Sequence, residues 1–209
     1  MVELAFATFA SLFSVVNPLG AVPFFLGMTP DYTPKERART ALMSSLWFVI
    51  ILLAFFFAGV AILDFFGITI NAMRIAGGLI IMSSGYALLQ GKFTEGRAIN
   101  KQVREETLAK DDISFSPMAM PMLSGPGSIS LLIGMYTENP DWSARFIIAG
   151  MVLALGILIY FILRSSPLLF RVLGVTGLKA LSRIMGFLVM AIGIEFIING
   201  IVALVLQSR

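Results

Sequence analysis

The sequence predicts an all-α integral membrane protein: six transmembrane helices arranged as two inverted three-helix repeats, with helices 1 and 4 discontinuous. Three observations predict it. Hydrophobic residues make up 58% of the 209 and charged residues 13%, with a mean hydropathy of +0.92, far from the composition of a soluble domain. Six apolar stretches, near 4–28, 40–63, 71–90, 114–137, 144–163 and 180–206, each reach the roughly 20 residues that span hydrocarbon as a helix. The third observation is a duplication. Gly20 lies over Gly127, Gly27-Met28 over Gly134-Met135 and Gly67 over Gly174 at a constant offset; two residues later in register, Arg74-Ile75-Ala76-Gly77 lies over Arg183-Ile184-Met185-Gly186 and Gln90-Gly91 over Asn199-Gly200.

Each element has its own reason. In lipid every backbone polar group must be paired internally, so the six stretches are helices and not open strands. The short alternating segments of a membrane barrel do not occur. Residues 1–90 form one repeat and 114–209 the other. With three spans each, the second must enter the bilayer upside down relative to the first, the ground plan of many secondary transporters.

The first span carries Asn17-Pro18-Leu19-Gly20 about halfway along. Asparagine is a preferred N-cap and proline is favoured just after it. One half-helix is therefore expected to end near Val16 and another to begin at Pro18, which has no N–H and frees a carbonyl upstream. The fourth span repeats this with Ser124-Gly125-Pro126-Gly127-Ser128, Ser124 or Gly125 being the cap and Pro126 the first helical residue. Each new half-helix presents unpaired N–H groups and the positive end of a dipole of about half a charge. In inverted repeats the two N-termini approach the midplane from opposite sides. Together they suit an anionic group, while the freed carbonyls suit an ammonium or a cation. A zwitterion satisfies both. The glycines let a small ligand approach the backbone. A proline kink often does no more than bend a helix; two at duplicated positions, each with its own cap, favour a site. Pro23, Pro117 and Pro121 are read as kinks only.

The loop after the first span carries Lys35, Arg37 and Arg39. The segment 91–113 links the repeats and carries Lys92, Arg97, Lys101, Arg104 and Lys110, with Arg104-Glu105-Glu106 suggesting a short surface helix. After the fifth span come Arg164, Arg171, Lys179 and Arg183, whereas the opposite side has only Arg74, Arg145 and Arg209. By the positive-inside rule the first set is cytoplasmic and both termini face outward across a plasma (inner) membrane. No basic residue precedes the first apolar stretch, which reads as a retained helix and not a cleaved signal.

The third and sixth spans begin at Arg74 and Arg183. Both are read as interfacial anchors, with a gating ion pair as the sharper alternative. Gly77, Ser84 and Gly91 in one span, and Gly186, Gly193 and Gly200 in the other, form stripes of small residues expected at helix contacts. Of twelve carboxylates, Glu195 alone falls deep in a span. A charge there costs at least about 2–3 kcal/mol, so the side chain is expected to face the bundle interior. It is a candidate for carrying a coupling proton, with Asn199 one turn along in the same polar cluster. The competing reading is a structural hydrogen bond to a broken-helix carbonyl.

Several function classes are excluded. Cysteine and histidine are both absent, so disulfides, thiolate metal sites and imidazole relays are impossible, and neither a metal nor a cofactor is expected beyond a coupling H+ or Na+. The net charge of +3 and pI near 9.4 do not indicate nucleic acid, because the basic residues belong to the membrane-flanking loops and alternate there with Glu95, Glu105, Glu106, Asp111 and Asp112. Gly85, Gly91 and Lys92 miss the spacing of a phosphate loop, and Phe93 follows where Ser or Thr is required. No serine–histidine or paired-aspartate arrangement lies in a span, so no enzyme is expected.

Asn17-Pro18-Leu19-Gly20-Ala21-Val22-Pro23-Phe24-Phe25 and Met120-Pro121-Met122-Leu123-Ser124-Gly125-Pro126-Gly127-Ser128-Ile129 resemble the paired signatures of the MarC family of prokaryotic inner-membrane proteins. Arg183-Ile184-Met185-Gly186 and Asn199-Gly200 resemble its last-helix pattern. The resemblance implies six spans, broken first and fourth helices, and transport of small neutral amino acids such as glycine and alanine. It implies substrate contacts at Asn17, Gly20, Ser124, Gly125 and Gly127, with Pro18 between the first two. Glu195 stands where relatives often carry glutamine, so a proton-carrying role would be particular to this chain. The expectation is a secondary active transporter whose repeats rock about a midplane site. Its rivals are a passive channel, an exporter of another small solute, and a non-transporting membrane partner recruited through 91–113.

Overall fold

A computed structural model describes residues 1–90 and 112–207. Among them all regular structure is helical. Helices α1 (Val2–Val16) and α2 (Ala21–Met28) form a first pair bent by 48°. Helix α3 (Pro34–Phe65) and helix α4 (Ile70–Leu89) follow. The irregular segment Ser114–Leu123 and helix α5 (Pro126–Glu138) form a second pair bent by 62°, followed by α6 (Trp142–Arg164) and α7 (Ser166–Gln207). Each half therefore opens with a bent pair and continues with two longer helices. Four helices are long and apolar enough to cross a bilayer, or six if each bent pair is one span. The surface helix read at Arg104-Glu105-Glu106 lies outside the described residues.

Local chemistry explains most boundaries. Helix α3 begins six residues before the expected span because Thr33 and Glu36 form a capping box with Pro34 at the first helical position. Thr69 caps α4 by accepting from the Ala72 N–H at 3.2 Å. The expected loop after the fifth span is largely helical. Helix α7 starts at Ser166, and Gly174, at φ 61° and ψ −178°, breaks it into 166–173 and 175–207. Its duplicate Gly67 also has a positive φ, 66°. The half-span before Ser124 is not the regular helix expected. Prolines restrict the residue before them to extended backbone, and Ser116 and Met120, ahead of Pro117 and Pro121, are extended. What remains is single turns closed by bonds such as Met118 N–H to Ile113 O at 3.3 Å.

The core joins all these elements. Leu12, Phe25, Phe48, Leu52, Phe56, Ile81, Leu132, Ile148 and Leu155 are fully buried and belong to one cluster. Each bent pair packs on the longer helices of the other half of the chain: α1 on α6 and the irregular segment on α3, α2 on α7 and α5 on α3 and α4.

Helices α4 and α7 make the most extensive contact and run antiparallel: Gly85 meets the Gly186–Met190 turn, Gly78 meets Gly193, and Gly200 meets Asn71. A Cβ on Gly193 would stand 2.5 Å from the Met82 nitrogen, and one on Gly186 2.7 Å from the Leu88 Cβ. The stripe expected on α7 is therefore the contact surface. On α4 the contact is carried by Gly78 and Gly85, one residue along from Gly77 and Ser84, because α4 turns that other face to α5. A Cβ at Gly77 would collide with the Ser130 side chain. Gly91 lies outside the described residues.

Candidate functional site

Asn17 ends α1 in the left-handed conformation, φ 47° and ψ 61°, with its N–H bonded to Phe13 O at 2.9 Å. It is the one non-glycine residue with positive φ among those described, and asparagine tolerates that region better than most. Its side chain then turns forward, and Oδ1 accepts from the Gly20 N–H at 3.2 Å. One residue therefore closes the first half-helix and caps the approach to the second. The expected end at Val16 stands. Regular α2 geometry begins at Ala21 and not at Pro18, with buried Pro18, Leu19 and buried Gly20 forming a turn between the halves. Gly20 has to be glycine, since a Cβ there would run into the Asn17 amide, 2.9 Å from its Cγ. Asn17 is 1% exposed, and its Nδ2 has no hydrogen-bond partner.

The second break matches its expected cap. Gly125 is the N-cap of α5 (φ −73°, ψ 166°) and Pro126 its first residue. Gly125 O accepts from Ile129 N–H at 3.2 Å and from Ser128 Oγ at 2.9 Å. No side chain caps the first N–H groups of α5. Ser124 is fully buried; its N–H donates to Ala119 O at 2.8 Å, and its Oγ is unpartnered. Each break thus holds a buried polar group with unused hydrogen-bonding capacity, a costly arrangement that needs a reason.

Gly127 joins this break to the first span and to α4. A Cβ on it would lie 3.0 Å from Ile81 Cγ1 and 3.5 Å from Val15 Cγ1. A crevice at this junction is lined by Val15, Ile81, Ser84, Met122, Leu123, Gly125, Gly127 and Ser128. It has room for about one water molecule, ≈ 10 Å³, so it is closed to any larger solute in this conformation. Gly125 and Gly127 line it. Asn17, Pro18, Gly20 and Ser124 are not among the residues that line it.

The remaining candidates separate. Arg74 is 14% exposed and pairs through Nη2 with Glu138 Oε1 at 3.0 Å, the same nitrogen lying 3.3 Å from Thr137 Oγ1. It ties the start of α4 to the end of α5, beyond the anchor role expected of it. Arg183 and the residue equivalent to Glu138, Asp31, are both exposed and pair with no described residue. Glu195 and Asn199 correct the sequence expectation: both lie on the exposed face of α7, away from the crevice. The inner face of that helix is occupied by the glycines that α4 requires, so a side chain at 195 has to point outward. No cluster of metal-ligating residues occurs among the described residues.

Two arginines were missed by sequence reasoning. Arg37, from the first turn of α3, donates to the C-cap of α2: Nη2 to Thr29 O at 2.6 Å and Nε to Thr29 Oγ1 at 3.2 Å. Arg145, from the first turn of α6, does the same for α5, its Nε donating to Asn139 O at 3.1 Å. Its guanidinium also lies 3.7 Å from the Tyr136 ring centre. The signal was available: each broken span is followed within a few residues by an arginine opening the next helix.

Fold and site define an α-helical membrane protein with four to six candidate spans and two bent helix pairs meeting at a buried junction. The model of the MarC family, described as MarC family integral membrane protein, matches residues 2–205, and the chain belongs to that family. It is 39% identical to the UPF0056 membrane protein YhcE of Escherichia coli K12 over 94% of this chain and 91% of that one. It is 34% identical to the UPF0056 inner membrane protein MarC of Salmonella typhimurium, over 93% and 92% of the respective chains. A membrane protein of Methanocaldococcus jannaschii is 37% identical over 92% and 93%. No solved structure matches the chain.

Proposed function

We propose that this protein is a secondary active transporter of a small neutral amino acid of the glycine or alanine kind, coupled to H+ or Na+. It would work in the inner membrane, where a relative's name places that relative, with both termini outside the cytoplasm. The observation that carries the reading is the pair of interrupted spans, each with an unsatisfied polar group buried at its break: Asn17 Nδ2 in one and Ser124 Oγ in the other. The start of α5 has no side-chain cap, and its first N–H groups, which fall to Gly127 and Ser128 because Pro126 has none, suit a carboxylate. The freed carbonyls suit an ammonium.

The inverted-repeat reading has independent support. Gly67 and Gly174 have positive φ at equivalent places, the packing of the broken spans is exchanged between the halves, and each half has one arginine clamp on the C-cap of its broken span, at Thr29 and at Asn139. The equivalent helices α4 and α7 run antiparallel in contact, as a twofold axis in the membrane plane requires. The two ends differ, however. Arg74 is paired with Glu138, whereas Arg183 and Asp31 stand apart. Alternating access calls for this inequality, one gate closed while its mirror is open. Arg37 and Arg145 make α2 move with α3 and α5 with α6.

Purified protein in liposomes, given radiolabelled glycine or alanine and an imposed gradient, tests the reading. Asn17→Leu should abolish uptake while folded protein is recovered at normal yield; full uptake by that variant would remove Asn17 from the site.

A further inference from the structure

Helix α7 shows a continuous outward face. At about 100° per residue, Ile184, Leu188, Glu195, Asn199, Val202 and Leu206 project within roughly 40° of one direction. All are exposed, and they point away from the glycines that pack on α4. The apolar members are what lipid chains require. Glu195 and Asn199 are not. Arg183 is twelve residues away, about 18 Å along the helix, so the carboxyl group lies at mid-span with Asn199 one turn along on the same face; among the described residues it has no hydrogen-bond or ion-pair partner. Acidic residues inside membranes are costly and almost always covered by protein or by a water-filled cavity. The crevice at the junction of the bent pairs does not include Glu195.

We propose that this face is covered by the same face of a second copy of the chain, the two α7 helices packing in parallel about a twofold axis along the membrane normal. The chemistry selects that occupant. A carboxyl and a carboxamide one turn apart offer both donors and acceptors, and a twofold axis sets each opposite its own kind at the same depth. Hydrogen bonds between such side chains hold membrane helices together. The rest of the stripe, Ile184, Leu188, Val202 and Leu206, supplies apolar packing along the helix length. The equivalent position in the first repeat, Tyr86, is also exposed, at 57%, but an aromatic ring with one hydroxyl is far less costly against lipid.

The chain contains no cysteine, so single cysteines test this directly. Ala191→Cys and Val202→Cys, oxidised in native membranes, should each give a crosslinked dimer, because a lone cysteine joins only to its own equivalent. Phe146→Cys and Phe161→Cys, on the exposed face of α6, should remain monomeric. Adding Glu195→Leu should lower the dimer yield at Ala191→Cys by about three- to fifteen-fold, the range for interhelical hydrogen bonds, and Glu195→Gln should restore it. Absence of crosslinks at both α7 positions would leave lipid alone on this face and overturn the proposal. Crosslinks that Glu195→Leu does not weaken would also overturn it, since the polar pair would not be what joins the copies. Neither readout depends on transport.

Discussion

The Asn17 side chain folds forward onto Gly20, its Oδ1 receiving the Gly20 N–H at 3.2 Å, and fills the space a Cβ at position 20 would need. The bond closes the turn between α1 and α2 and leaves Nδ2 free at a buried position. Gly20→Ala should therefore push the amide out of place, lowering stability by about 1–3 kcal/mol, typical of overpacking, and uptake by at least about tenfold. Thermal unfolding in detergent and liposome uptake check the two effects. Uptake at the original level would show that the amide's position does not matter.

The Arg74–Glu138 pair joins α4 to α5 at a half-exposed carboxylate, so its contribution to stability should be small, about 0–1 kcal/mol. Its effect on conformation should be larger. Glu138→Gln is expected to leave the melting temperature nearly unchanged while a Met73→Cys reporter becomes more reactive to an impermeant maleimide from outside. Exchanging the two residues, Arg74→Glu with Glu138→Arg, should return reactivity toward its starting level. Unchanged reactivity in Glu138→Gln would show that the pair is only an anchor.

Arg37 and Arg145 each clamp the last carbonyl of a broken span to the helix that follows. Replacing either with alanine should cost about 1.5 kcal/mol, the lower end for a hydrogen bond to a charged group, because both guanidinium groups are partly solvated. Arg39→Ala, two residues from the first clamp on the exposed face of α3, should be neutral by the same melting measurement.

Glycine substitutions should divide by position. Gly193→Ala places a methyl 2.5 Å from the Met82 nitrogen and has to spread α4 from α7, so folded protein should fall sharply. Gly150→Ala meets nothing within 4 Å on α6 and should be neutral or stabilising by up to about 1 kcal/mol. Recovery on size-exclusion chromatography and melting temperature separate the two cases.

Glu195 lies on the outer face of α7, away from the crevice. Glu195→Gln should consequently leave the pH profile of uptake unchanged, and a displaced profile would return this residue to the coupling machinery.

Much of this was legible because the strongest signals are local. Val16 as the last residue of a half-helix, and Gly125 with Pro126 as the start of another, follow from capping preferences that act over one turn. Spans follow from length and apolarity. Three features were not legible. The irregular backbone before Ser124 depends on two prolines four residues apart acting together, each forcing its predecessor to be extended. The shift of the α4 contact from Gly77 to Gly78 depends on α5 claiming the other face, a tertiary fact. The general cost of a charge in lipid points Glu195 inward; packing overrides it, because Gly186, Gly193 and Gly200 commit the inner face of α7 to α4.

The central claim is that two interrupted spans enclose one site whose access alternates. Uptake of radiolabelled glycine or alanine by the purified protein in liposomes, with and without an imposed proton or sodium gradient, tests it most directly. Saturable accumulation above the outside concentration, lost when the gradient is collapsed and absent in Asn17→Leu, is the predicted result. Flux that rises linearly with concentration and never accumulates would contradict it.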